Sequence, residues 1–103
     1  MVANAAEFLA LASLKRDKVE VGGQTIHIRE MNVRERAKLL DMVKSEQAMV
    51  PAYLVRCCAI TEDGKPLFSE SDTDKLAAAA PSVVDAVAAA VMRISGMVDG
   101  PNA

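Results

Sequence analysis

Polar and apolar residues alternate through Lys18-Val-Glu-Val21 and again through Gln24-Thr-Ile-His-Ile28, with Gly22-Gly23 between them. Period two on both sides of a pair of residues that tolerate positive φ predicts a β-hairpin with a two-residue turn. Pairing Val21 with Gln24 sets Val19 opposite Ile26 on one face and Lys18 opposite His27 on the other. The apolar face must then lie against other elements, and His27 falls on the polar one.

Elsewhere the pattern is helical. From Asn4, a plausible N-cap, Phe8, Leu9, Leu11, Ala12 and Leu14 make a broad apolar stripe, predicting a helix that ends near Arg16. This helix either docks on the rest of the domain or associates with another copy or a partner. Asn32, followed three residues later by Glu35, forms a capping-box pattern ahead of a helix from Val33 to about Ser45. Its inward stripe is read as Val33, Ala37, Leu40 and Val43, with charges of mixed sign elsewhere. Pro51 suits a first helical position, and Ala52 to Ile60 are apolar nearly all round except for Arg56, which predicts the central buried helix.

Thr61 to Lys65 then reads as a turn with Gly64 available for positive φ. Pro66-Leu-Phe68 reads as a short extended piece returning Leu67 and Phe68 to the core. Ser69 or Ser71 is expected to cap a helix reaching Leu76 to Ala79, with Glu70, Asp72 and Asp74 at the positive end of its dipole. Pro81 opens the last helix, where Val84, Val87, Val91 and Ile94 recur at helical spacing and Gly96 can end it. The expected fold is therefore mainly α with one N-terminal hairpin, α+β, with about four to five helices. It is one domain over 1–103, with an N-terminal helix within 1–17, the hairpin within 18–29, a helical core over 32–96 and a flexible tail over 97–103.

Composition narrows the function. One core is all that 103 residues can build. The apolar share is 51%, yet Trp is absent and only three aromatics occur, so alanine and six methionines supply much of it, which favours close helix packing. A net charge of -2 and a pI near 5.3 give no excess positive field to recruit a polyphosphate backbone. Val2, Ala3, Asn4 and Ala5 after Met1 lack a basic leader region, and no apolar run reaches the roughly 20 residues that span a bilayer. These features set the expectation of a cytoplasmic protein that binds neither nucleic acid nor membrane.

Chemistry is sparse. Cys57 and Cys58 are adjacent, project about 100° apart on a helix, and read as reduced thiols without a His or Cys partner at metal spacing. Glu62-Asp-Gly64 resembles a calcium loop only superficially, because the other acidic positions are missing. Asp72 and Asp74 sit two apart, which points paired carboxylates in different directions on a helix. No phosphate loop, serine elbow or Cys-His arrangement occurs, so neither an enzyme nor a cofactor is expected. The candidate functional residues are those of a protein-binding surface: Phe8, Leu9 and Leu11 on the first helix, and Arg29, Arg34, Arg36 and Lys38 around the second.

The order of parts carries a resemblance: an amphipathic N-terminal segment, a hairpin, Ile28-Arg-Glu-Met31 leading to Arg34-Glu-Arg36, Leu54-Val-Arg-Cys-Cys58, then Glu62-Asp-Gly-Lys-Pro-Leu-Phe68 with an acidic helix start, and an apolar last helix. This looks like the tail assembly chaperones of long-tailed bacteriophages and prophages, over roughly residues 18 to 95. The chain departs from that pattern in Ala77 to Ala80, broken by Pro81, and in its weakly defined first helix. The resemblance implies a non-catalytic protein of the host cytoplasm that binds the tape measure protein, keeps it soluble, recruits tail tube subunits and is absent from the finished virion. Self-association into rings or spirals would be compatible with it, and a longer frameshifted form is frequent in such proteins. Two rivals are a structural tail or head-tail connector protein, which would share the composition, and a small DNA-binding regulator, since helical domains of this size commonly use a helix-turn-helix. The regulator fits less well, because the link from Ser45 to Pro51 lacks a tight glycine turn and the following helix is too apolar to read a major groove.

Overall fold

The computed structural model describes residues 2–97. Helix α1 (Ala5–Leu11) precedes strands β1 (Arg16–Val21) and β2 (Gln24–Arg29). Helix α2 (Val33–Ser45) and a 3-10 turn (Gln47–Met49) lead into α3 (Val50–Cys58), which passes directly into a short strand β3 (Ala59–Ile60). A second 3-10 turn (Glu70–Asp72), α4 (Thr73–Ala77) and α5 (Pro81–Ile94) complete the domain, which is mainly helical and α+β.

The hairpin has the expected register, with Val21 opposite Gln24, Val19 opposite Ile26 and Lys18 opposite His27. Gly22 (φ 59°) and Gly23 (φ 80°) both occupy the left-handed region, as a turn of this twist demands. Its apolar face packs on α5, with Ile28 fully buried and Val19, Val21 and Ile26 half-buried around it. The ladder runs further than the alternation suggested, to Arg16 opposite Arg29. Beyond it, the Glu30 N–H donates to the Lys15 carbonyl at 2.9 Å and the Lys15 N–H donates to Glu30 Oε1 at 2.8 Å. That pairing claims the residues assigned to the end of the first helix, so α1 stops at Leu11 rather than near Arg16.

A third strand was not expected. Ala59 and Ile60, read as the end of the central helix, leave it and pair antiparallel with Ile28 and His27. The sheet order is β1-β2-β3, and Ile60 also bridges Pro66, so the turn after β3 folds back on the sheet. Within that turn Gly64 adopts φ 91°. Phe68 reaches the core as expected, whereas Leu67 stays 44% exposed and contributes its N–H to the Ala59 carbonyl.

Both asparagine caps form reciprocal boxes. Asn4 Oδ1 accepts from the Glu7 N–H while Glu7 accepts from the Asn4 N–H, and Asn32 and Glu35 do the same. Each box satisfies two N–H groups that a helix start otherwise leaves open, at about 1 kcal/mol. Ser69 and Asp72 form a third box at the 3-10 turn, and the Ser69 N–H, followed by the Ser69 hydroxyl and Lys75, holds the Asp72 carboxyl below its ordinary range.

The core lies between α3, α5 and the sheet. Ala52, Tyr53, Leu54, Val55 and Cys58 of α3 are buried, as are Val84, Val87, Ala88, Ala90 and Val91 of α5, and the two helices pack on each other. Gly96 ends α5 at φ 72°, and the Met31 N–H donates to Ser95 Oγ at 3.0 Å, tying that end to the entrance of α2. Of the expected tail, Met97 packs on the core and its N–H donates to the Met92 carbonyl; 98–103 lie outside the described residues.

Candidate docking surface

Helix α2 shows two apolar stripes, and the structure buries the one the pattern did not favour. Leu39 is 1% exposed and Met42 is buried, while Val33 is 88% exposed, Leu40 50% and Val43 48%. Glu35, Leu39 and Met42 stand at i, i+4 and i+7 and therefore share one face. The reason that face wins is Arg29. Its Nη1 lies 2.7 Å from Glu35 Oε1 and its Nη2 2.8 Å from Oε2, a two-point fork. The same guanidinium donates to the Glu30 carbonyl at 3.0 Å, to the Cys57 carbonyl at 2.8 Å and to Cys58 Sγ at 3.8 Å. Turning Glu35 inward to meet it carries Leu39 and Met42 inward and leaves Val33, Ala37 and Leu40 facing solvent.

The electrostatics follow from this geometry. The Glu35 hydrogen bonds, outweighing burial, raise the Arg29 pKa above its usual value. Burial by itself would push Glu35 up, but the bonds from Arg29 and the Asn32 N–H prevail and hold its carboxyl below the ordinary range. Burial pushes the Cys58 thiol up to about 12 and also raises Cys57. Neither cysteine is poised as a thiolate nucleophile at neutral pH. Tyr53, whose hydroxyl faces the Glu35 carbonyl at 3.5 Å, is likewise raised by burial, and the Arg56 guanidinium lies over its ring at 5.3 Å.

The seven candidate partner-binding residues separate into three positions. Phe8 (63% exposed), Leu9 and Leu11 (83%) lie on α1, which does not dock: every residue from Val2 to Lys18 is exposed. Arg29 is engaged inside the domain, bridging β2, α2 and the end of α3. Arg34, Arg36 and Lys38 are exposed on α2, and none of them forms a salt bridge among the described residues.

What the structure does bring together is Leu11 and Val33. They line one open groove with Ala12, Leu14 and Met31, about 340 Å³ in volume, between the segment after α1 and the start of α2. Val33 lines this groove and Leu40 is exposed further along the same helix, although the pattern placed both in the core. The sequence reading placed one inward stripe on this helix, Val33, Ala37, Leu40 and Val43; the Arg29–Glu35 tie that turns Leu39 and Met42 inward instead joins residues on different elements. A second, smaller depression, lined by Ala48, Pro51, Leu76, Ala77, Ala79, Pro81, Val84 and Asp85, presents a single ionisable group. Among the described residues no group of three His, Cys, Asp or Glu side chains could hold a metal ion, and no helix is long and apolar enough to cross a membrane.

No protein-family model matches the chain, and no curated protein matches it in sequence. Among solved structures, that of the bacteriophage HK97 tail assembly chaperone is similar, with a TM-score of 0.67 over 82% of this chain and 88% of that one, at 14% sequence identity. The chain has the fold of a phage tail assembly chaperone. The resemblance read from the order of motifs and the likeness in three dimensions thus point to one architecture. At this identity the likeness is one of fold.

Proposed function

We propose that this protein is a non-catalytic phage tail assembly chaperone, which binds the tape measure protein, keeps it soluble and recruits tail tube subunits in the cytoplasm of the bacterial host before leaving the finished tail. The observation that carries this reading is the match of fold to the HK97 tail assembly chaperone over most of both chains. The surface supports it: an undocked apolar helix and an outward apolar stripe on α2 suit transient cover of a partner helix, and weak sites repeated along a filament gain avidity. The same undocked α1 would serve self-association between copies.

Co-expression of the full chain with the tape measure protein of the same phage, followed by solubility and pull-down assays, tests the proposal. The expected result is a tape measure protein that stays soluble and co-purifies with this chain, and purified virions that lack the chain by mass spectrometry. A tape measure protein that stays insoluble, with this chain found in the virion, would replace the chaperone reading with a structural tail or head-tail connector role.

A further inference from the structure

Helix α2 has thirteen residues and a length of about 20 Å. Its outward face carries Val33, Ala37 and Leu40 at i, i+4 and i+7, a seam at the spacing that receives the side chains of a second helix. The seam opens at its N-terminal end into the groove lined by Leu11, Leu14 and Met31. Its borders are cationic. Arg34, Arg36, Lys38 and Lys44 are exposed around it against Asp41 as the one exposed carboxylate on the helix, because Glu35 is turned inward to Arg29. None of these four cations has a salt-bridge partner among the described residues. This positive border stands on a chain whose net charge is -2; Glu30 also lines the groove, where its carboxylate accepts from the Lys15 N–H, and Glu46 follows the end of the helix.

An apolar seam bordered by unpaired cations selects its occupant by charge. We propose that the outward face of α2, with its groove, seats one amphipathic helix of the partner protein whose apolar stripe is flanked by Asp or Glu residues. Leucine or similar side chains of that helix lie along Val33, Ala37 and Leu40, and its carboxylates meet Arg34 and Arg36 on the two sides of the seam and Lys44 at its end. The rim pairs set orientation and speed of encounter, and the seam supplies the apolar burial. That the partner is a tape measure protein rests on the chaperone reading; the chemistry of the seat does not.

Two helical peptides of about three turns, sharing one leucine stripe and differing only in Glu or Lys borders, are titrated into the full chain and followed by amide chemical shifts. The Glu-bordered peptide is expected to perturb 33–44 and to bind about tenfold or more tighter than the Lys-bordered one, with the advantage shrinking as salt rises. Val33→Asp with Leu40→Glu, both at exposed positions, should abolish the binding with circular dichroism unchanged, and Arg34→Glu, Arg36→Glu and Lys44→Glu together should reverse the peptide preference. Equal affinity for both peptides, or no binding by either, overturns the proposal; so does concentration-dependent self-association that perturbs 33–44 by itself, which would make a second copy the occupant. If these variants still solubilise the tape measure protein like the unmodified chain, α2 is not the seat and the chaperone reading stands. If the Glu-bordered peptide binds at α2 while the tape measure protein is never solubilised, the seat stands and that reading falls.

Discussion

Arg29 and Glu35 meet in a two-point fork, with nitrogen–oxygen distances of 2.7 and 2.8 Å, and this contact joins the last residue of β2 to the first turn of α2. Arg29 also caps α3, because its second nitrogen donates to the Cys57 carbonyl at the end of that helix, where the helix leaves the oxygen open. Replacing Arg29 with Met would strand a half-buried carboxylate and an uncapped carbonyl. The expected cost is about 2 kcal/mol, a fall in melting temperature of roughly 10 °C. Arg34→Met, at an exposed position without a salt bridge, should change stability by less than about 0.5 kcal/mol. Thermal denaturation of the two variants checks the contrast.

The same pair sets a dependence on pH. The carboxyl of Glu35 is held below its ordinary value of 4.5, so its contribution is present above that value and is lost as the pH falls through the lower, folded one. Unfolding measured from pH 7 down to pH 3 should show the unmodified protein ahead of Glu35→Gln at neutral pH, with the gap closing only below about 4.5. A gap that stays constant through this range would mean that the fork does not stabilise the fold through its charge.

Leu39 and Leu40 are neighbours with opposite fates, and substitution separates them. Leu39→Asp would bury an unpaired carboxylate and should unfold the domain, while Leu40→Asp, at a half-exposed position, should cost no more than about 1 kcal/mol. Val55→Asp, on the buried face of α3, belongs with the first. Circular dichroism of the two α2 variants decides which face of that helix is inside, and that of Val55→Asp checks the core assignment of α3.

Because α1 does not dock, Leu11→Asp is expected to leave the circular dichroism of the domain nearly unchanged. It should reduce whatever association the helix mediates, read as a smaller species in sedimentation or as weaker capture of the tape measure protein. Loss of the fold would place α1 in the core after all.

The thiols give a chemical check on burial. Alkylation by iodoacetamide near pH 8 should be slow for both cysteines in the native protein and slowest at Cys58, whose side chain is fully buried and whose thiol titrates at about 12. Denaturant should bring both to the rate of a free thiol. Rapid native labelling of Cys58 would show that the end of α3 opens readily.

Local chemistry was legible in the residues alone. Two glycines in sequence between alternating segments set the hairpin register, Asn32 with Glu35 set the start of α2, and Pro81 and Gly96 bracket α5, because each acts within three or four residues on its own backbone. The fold class and the family resemblance followed from the order of these parts, and the likeness to a solved tail assembly chaperone agrees with both. Other features were decided only by tertiary structure. The apolar pattern of α2 allows two inward faces, and the choice depends on Arg29 reaching Glu35 from another element. Ala59 and Ile60 became a strand because β2 presented an open edge to them, and α1 ended at Leu11 because Lys15 and Arg16 found partners in Glu30 and Arg29. A residue's neighbours in sequence determine its caps and turns; which side of a two-faced helix meets the core is settled by groups far along the chain, and with it which side is left to meet a partner.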